Sequence, residues 1–118
     1  MGYNSDLRVI LRRKDFEELK EKMNNYYKER DCGYNLFNEE EIDIIEENKS
    51  WVKFGWNGLK WYYPQYKEVE MIQDFITSRD QFYFLRLGEE YGDMEERQDL
   101  EYDEECPEIS YVYHYIED

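Results

Sequence analysis

Hydrophobic and polar residues alternate over positions 7–12 and predict a β-strand. Leu7, Val9 and Leu11 occupy every second position there, and a two-residue period gives a strand one apolar face. The run 109–116 likewise alternates between two sets of residues, which predicts a strand that closes the sheet. One set is Ile109, Tyr111, Tyr113 and Tyr115, and the other is Ser110, Val112, His114 and Ile116. The run 81–87 has apolar side chains on both faces, which indicates a central strand with neighbours on each side.

In two other segments, the apolar residues recur with the spacing of an α-helix. Asp15, followed three residues later by Glu18, forms a capping box, so we expect a first helix from there to about Arg30. A second helix is expected from about Lys67 to Arg79. Each has apolar residues on one face, namely Phe16, Leu19, Met23 and Tyr26 in the first and Val69, Ile72, Phe75 and Ile76 in the second.

The dipeptide Asn57-Gly58 lies between two aromatic-rich runs, 51–56 and 59–63. Asn-Gly favours the type I′ turn of a two-residue hairpin, because both residues tolerate positive φ. The two strands of this predicted hairpin share one aromatic-rich face. We interpret it as a core face, and an exposed aromatic binding platform is the alternative. That face carries Val52, Phe54, Trp56, Leu59, Trp61 and Tyr63.

These elements predict one α+β domain over residues 1–118. The order β-α-β-β-α-β-β suggests an antiparallel sheet with two helices packed on one face, related to the ferredoxin-like pattern. Two segments stay open. Residues 42–45 are consistent with a strand or a short helix, and the stretch 88–108 is either a loop or a hairpin with a short strand at Leu100 and Tyr102.

Acidic residues are concentrated in the last quarter of the chain. The 118 residues contain 15 Lys and Arg against 30 Asp and Glu, a formal net charge of −15. Residues 1–87 form a near-neutral part with −3, whereas residues 88–118 carry −12 with Arg97 as their one base. A surface of this sign repels phosphates, which argues against a free nucleic-acid binder. An aromatic share of 19% argues against disorder.

The concentrated acids point to a basic protein partner, with simple solubility as the alternative. Tyr residues among the acids are typical of interface anchors. A strand places alternate side chains ~6.6 Å apart, similar to successive phosphates along a nucleic-acid strand. The predicted partner-binding residues are Glu89, Glu90, Tyr91, Asp93, Glu95, Glu96, Asp99, Glu101, Tyr102, Asp103, Glu104 and Glu105.

No residue pattern identifies a reaction, so we expect no enzyme, no cofactor and no metal site. The chain has one histidine, His114, and a Ser/His or Cys/His pair would need it beside a nucleophile. Cys32, Cys106 and His114 lack paired zinc-ligand spacing. The alternating acids over 99–105 lack the glycine of an EF-hand loop. A small enzyme or a metal-dependent module remains the alternative of a different class.

The composition and the stretch from Phe84 to Arg97, FLRLGEEYGDMEER, resemble small acidic accessory proteins of phages and mobile elements, in particular anti-CRISPR proteins that imitate DNA. The resemblance implies a stoichiometric, non-enzymatic inhibitor whose target is a host defence nuclease with a basic groove. An immunity protein or antitoxin that neutralises a basic nuclease toxin would have the same properties.

Cellular location and oligomeric state are expectations from sparser signals. Two distant cysteines and no signal-peptide core predict reduced thiols in the bacterial cytosol. No stretch approaches the length of a membrane span. We expect a monomer or a homodimer, with the aromatic hairpin as a possible dimer face.

Overall fold

The structure is a computed structural model that describes residues 2–31, 34–101, 104–107, 110–112 and 115–117. Its elements are β1 (Ser5–Arg12), α1 (Arg13–Glu29), β2 (Ile44–Glu47), β3 (Trp51–Leu59), α2 (Lys67–Thr77), β4 (Phe82–Gly88), β5 (Met94–Asp99), β6 (Ser110–Val112) and β7 (Tyr115–Glu117). Strands β1 to β5 form an antiparallel sheet in the order β2-β3-β1-β4-β5, and β6 pairs with β7 in a separate sheet. The predicted α+β fold is therefore confirmed.

Apolar side chains on one face of the five-stranded sheet pack against both helices. In the sheet, Val9 of β1 lies between Phe54 of β3 and Phe84 of β4, so large side chains meet across three strands. The α2 stripe is confirmed, whereas Tyr27, rather than Tyr26, completes the α1 stripe. The helices contribute Phe16, Leu19, Met23, Tyr27, Val69, Ile72, Phe75 and Ile76 to this core.

Helix α1 begins earlier than the capping box predicted. Strand β1 ends at Arg12 and α1 starts at Arg13 with no loop between them. The Arg13 N–H donates to the carbonyl oxygen of Ser50 at 2.9 Å. The β2–β3 turn thus satisfies an N–H group of the first helical turn, and no side chain caps the helix. Asp15 lies inside that turn, where a negative charge favours the helix dipole.

The predicted hairpin at Asn57-Gly58 is wrong, because these residues form a bulge inside the single strand β3. Leu7 pairs with Trp56 and Ser5 pairs with Leu59, so two residues of β3 face Asp6 of β1. Gly58 has φ 68°, and its N–H donates to Asp6 Oδ1 at 2.9 Å. The central hairpin instead joins β2 and β3, so Ile44 and Ile45 of the undecided 42–45 region lie in the edge strand β2, and Ile42 precedes it.

The opposite face of the sheet carries a second, smaller core. Leu100, Cys106 and Ile116 pack there, and all three belong to residues 88–118, which we call the acidic segment. They cover side chains of β1, β3 and β4, namely Ile10, Trp51, Tyr83, Leu85 and Leu87. The acidic segment is therefore an integral layer of the fold.

The predicted closing strand over 109–116 is also different in the structure. Strands β6 and β7 pair with each other and not with the five-stranded sheet, and Ile109, Tyr113 and His114 lie outside the described residues. The strand that completes the sheet beside β4 is β5, which falls within the stretch 88–108. Strand β4 has neighbours on both sides, β1 and β5, as its two apolar faces predicted.

Candidate functional site

The β4–β5 turn presents the first group of predicted partner-binding residues. Glu89, Glu90 and Tyr91 are exposed, and the Tyr91 side chain is 81% exposed. The turn is held by the N-terminal segment, because Glu89 accepts a hydrogen bond from the Asn4 N–H and the Glu90 N–H donates to the Tyr3 hydroxyl. This part of the acidic segment is thus fixed in position before any partner binds.

Asp93 and Glu95 are engaged within the protein. The Arg86 guanidinium donates to Asp93 Oδ1 at 2.9 Å, and its Nε lies 3.7 Å from Glu95 Oε1. The Tyr3 hydroxyl donates to Asp93 Oδ2 at 2.5 Å. The hydrogen bond to Asp93 raises the pKa of Arg86. Desolvation raises the pKa of Tyr3, and the hydrogen bond to Asp93 raises it further. These two carboxylates therefore share Arg86, whose single positive charge offsets one of their two negative charges.

Strand β5 divides its side chains between the two faces of the sheet. Glu95, Arg97 and Asp99 lie opposite Arg86, Phe84 and Phe82 on the helix-bearing face. Glu96 is on the other face, where it accepts a hydrogen bond from the Tyr83 hydroxyl. The predicted row of acids is therefore not continuous, because Arg97 lies between Glu95 and Asp99.

The remaining predicted residues lie at the opposite end of β5. Glu101 and Glu104 are exposed, and Glu105 joins the β2–β3 turn through hydrogen bonds from Asn48 Nδ2 and Ser50 Oγ. Tyr102 and Asp103 lie outside the described residues. We call the exposed acids of this region the acidic surface, namely Glu89, Glu90, Glu96, Asp99, Glu101, Glu104 and Glu105. Its ends are ~20 Å apart, the length of a six-residue strand.

A cleft of about 590 Å³ opens beside the acidic surface, between β5 and the segment that connects β3 to α2. Its aromatic walls are Tyr3, Trp61, Tyr62 and Tyr63. Its polar lining consists of Gln65, Gln73, Arg86, Asp93, Glu95 and Arg97. We call it the tyrosine cleft.

Hydrogen bonds fix the walls of the tyrosine cleft. The Trp61 indole N–H donates to Gln73 Oε1 at 2.9 Å, and the Tyr3 N–H donates to the Tyr62 hydroxyl at 2.6 Å. The Tyr63 hydroxyl donates to Asp74 Oδ1 at 2.6 Å. This bond raises the pKa of Tyr63, while the nearby Arg97 charge lowers it by a smaller amount. The cleft is thus formed by preorganised side chains.

Sequence reasoning did not find the tyrosine cleft. Trp61 and Tyr63 were assigned to one core face, but Trp61 is buried while the Tyr63 side chain is 42% exposed. Tyr3 lies far from Asp93 in sequence, and only the β1–β4 pairing brings the two segments together. The one available signal was Arg97, the single base in the acidic segment.

The part of the chain that the structure describes does not bring together a set of metal-ligating side chains. There, no group of three or more His, Cys, Asp or Glu side chains is arranged to hold a metal ion. Cys106 is buried, and its thiol donates to the Pro107 carbonyl oxygen at 3.5 Å, whereas Cys32 and His114 lie outside this part.

Neither α1 nor α2, the described helices, has the length and apolar character needed to cross a membrane. Comparison with models of known families, with curated proteins and with solved structures finds no match to this chain.

Proposed function

We propose that the protein is a non-enzymatic inhibitor of the phage type that binds a basic, nucleic-acid-handling host defence protein and occupies its groove as a DNA mimic. The observation that supports this proposal is the acidic surface. From Gly88 to Glu101 it contains a single base, Arg97, and the described acids outside Asp93 and Glu95 are exposed.

Four acids of this surface can be reversed without breaking a hydrogen bond or ion pair of the fold. The carboxylates of Glu90, Asp99, Glu101 and Glu104 make no hydrogen bond or ion pair within the described residues, and all four are exposed. Glu90 lies at one end of β5 and the other three lie at its far end. A basic groove that contacts phosphates at two places ~20 Å apart would find negative charge at both places. Such complementarity steers association and suppresses wrong partners.

The test is a charge reversal that leaves the internal hydrogen bonds intact. The variant combines Glu90→Lys, Asp99→Lys, Glu101→Lys and Glu104→Lys. A matched control combines Glu21→Lys, Glu29→Lys, Glu39→Lys and Glu40→Lys, which are exposed acids elsewhere. Each reversal adds two charges, so both variants change the formal charge from −15 to −7. Only the position of the change differs.

The measurement is capture from a bacterial lysate on the immobilised native chain and on both variants. We expect the native chain and the control to retain a basic nucleic-acid-binding protein. The reversal variant should bind it at least about tenfold more weakly. Binding should also weaken as NaCl rises from about 0.1 M to about 1 M, because the Debye length falls from about 10 Å to about 3 Å.

A second measurement addresses inhibition. The captured protein is assayed for nucleic-acid binding or cleavage with and without the native chain, and we expect loss of that activity at stoichiometric amounts. Equal retention by all three chains, or a captured protein whose activity the native chain leaves unchanged, would contradict the proposal.

A further inference from the structure

We propose that the tyrosine cleft is a binding site for a small, flat aromatic molecule that carries a carboxylate or phosphate group. This site is separate from the docking of a basic protein, because its recognition groups are aromatic rings and hydrogen-bond donors. Its volume of about 590 Å³ falls within the range of about 300–1,000 Å³ that small-molecule sites occupy.

The walls offer stacking surfaces that are already in place. Tyr63 is partly exposed, and its hydroxyl is tied to Asp74, so the ring loses little freedom when a ligand stacks on it. Tyr62 packs against Tyr66 with ring centroids 5.2 Å apart, and Trp61 is stacked on Trp56 at 6.1 Å. Aromatic rings prefer such offset or tilted neighbours, and preorganised walls reduce the entropic cost of binding.

Two donors in the lining have capacity for an acceptor on the ligand. Gln73 is 3% exposed, and its oxygen accepts the Trp61 indole N–H. Its amide NH₂ makes no hydrogen bond within the described residues and is not one of their buried polar atoms without a partner. It therefore has access to solvent and can donate to an acceptor on a ligand. The Arg97 guanidinium likewise has no ion pair within those residues. Together they favour an acid group on the ligand.

The carboxylates of the lining do not reverse this preference. Asp93 and Glu95 both lie against Arg86, which offsets one of their two charges. With Arg97 included, the charged side chains of the lining sum to zero, and Arg97 is the cation among them that makes no ion pair within the described residues. The net charge of −15 repels a long polyanion. For one acid group, charges beyond the Debye length of about 8 Å at physiological salt are largely screened.

The test follows backbone and indole N–H signals of the ¹⁵N-labelled full chain by NMR. The acidic probes are adenosine monophosphate and para-hydroxyphenylacetate. Adenosine serves as the neutral counterpart of the first and tyramine as the cationic counterpart of the second. With each probe at about 1 mM, we expect the two acidic probes to shift the N–H signals of Trp61, Gln73 and Arg97. Adenosine should bind more weakly than the monophosphate, and tyramine should not bind.

Variants link the shifts to the proposed contacts. Arg97→Gln should weaken binding of the acids about tenfold, the usual effect of losing one charge-assisted hydrogen bond. Tyr63→Ala should weaken the binding of adenosine and of its monophosphate to the same extent, because it removes a ring on which both would stack. Lys49→Gln removes a positive charge from the β2–β3 turn, far from these contacts in the sequence. It should leave the affinity for every probe unchanged.

Three results would overturn the proposal: absence of shifts with both acids, equal affinity of tyramine and the acids, or unchanged affinity in Arg97→Gln. None of these measurements uses the basic protein partner. Failure here therefore leaves the charge-reversal test of the proposed function intact, and the reverse also holds.

Discussion

Tyr27 carries a buried hydroxyl that, among the described residues, has no hydrogen-bond partner. The side chain is 3% exposed and packs edge-on against Tyr34, with ring centroids 6.3 Å apart. Burial raises the pKa of Tyr27 above its ordinary value, because the phenolate would lose its hydration, and the nearby Leu36 backbone N–H lowers it by a smaller amount. That N–H does not meet the geometry of a hydrogen bond to the hydroxyl. An unsatisfied buried hydroxyl costs about 1–3 kcal/mol. We therefore expect Tyr27→Phe to raise the free energy of unfolding by about 1 kcal/mol, measured by urea denaturation.

Tyr83 provides the matched control for that substitution. It is equally buried, at 4% exposure, but its hydroxyl donates to Glu96 across the β4–β5 pair. Tyr83→Phe removes a hydrogen bond to a charged acceptor, so it should lower the free energy of unfolding by about 1.5–3 kcal/mol. A loss of stability in Tyr27→Phe as large as that in Tyr83→Phe would show that the Tyr27 hydroxyl has a partner after all.

Two glycines of strand β3, Gly58 in the bulge and Gly55 before it, should differ in how much stability a substitution costs. A Cβ on Gly58 would meet no atom within 4 Å, so Gly58→Ala costs only the strain of its φ of 68°, about 1 kcal/mol. Gly58→Asn should cost less, because Asn tolerates this conformation. Gly55→Ala should cost about 3 kcal/mol, because its Cβ would collide with the carbonyl oxygen of Leu7. Urea denaturation of the three variants gives the order, and equal losses at both glycines would contradict it.

The same elements show which features the sequence was able to predict. β1 and α2 were predicted correctly, because their periodicity is local and each has one buried face. Asn57-Gly58 was misassigned, because a hairpin turn and a bulge both need a residue with positive φ. The deciding partner, Asp6, belongs to another strand. The capping box failed for a similar reason, since Ser50 supplies the acceptor that a cap would have supplied.

The candidate site was harder to predict than the fold. Its acids were recognised as a group from charge alone, but the sequence did not separate Asp93 and Glu95, which hold Arg86, from Glu90 and Asp99, which remain free. That difference depends on the register of β4 against β5. The tyrosine cleft depends in addition on side chains from both ends of the chain, which no local pattern connects.

At the scale of the whole molecule, the sheet separates two layers of different composition. The helices cover one face, and the acidic segment covers the other. On that second face Arg8 and Lys53 are buried, each at 3% exposure. Lys53 Nζ lies 3.9 Å from Glu46 Oε2, and Arg8 Nη1 donates to the Leu7 carbonyl at 2.8 Å. Buried cations of this kind need nearby negative or acceptor groups, so part of the acidity of the chain belongs to its own fold.

Removal of residues 100–118 separates the structural role of the acidic segment from simple charge. The deletion removes seven acids and no Lys or Arg, so the formal charge changes from −15 to −8 and self-repulsion decreases, which by itself would stabilise the protein. It also uncovers apolar side chains that Leu100, Cys106 and Ile116 contact, among them Trp51 and Leu85. Leu100 and Ile116 are partly buried, so their contribution is roughly 2–3 kcal/mol, about half of that for two fully buried side chains.

We expect the burial to outweigh the charge, so the truncated chain should unfold at lower urea and bind the dye ANS, which reports exposed apolar surface. The charge effect is measured separately with the four-residue reversal at Glu21, Glu29, Glu39 and Glu40, which reduces the net charge by a similar amount without uncovering the sheet. A truncated chain that is as stable as this reversal variant would mean that the segment is a dispensable acidic tail. A loss of stability in the truncation alone would mean that the acidic surface is supported by a folded layer.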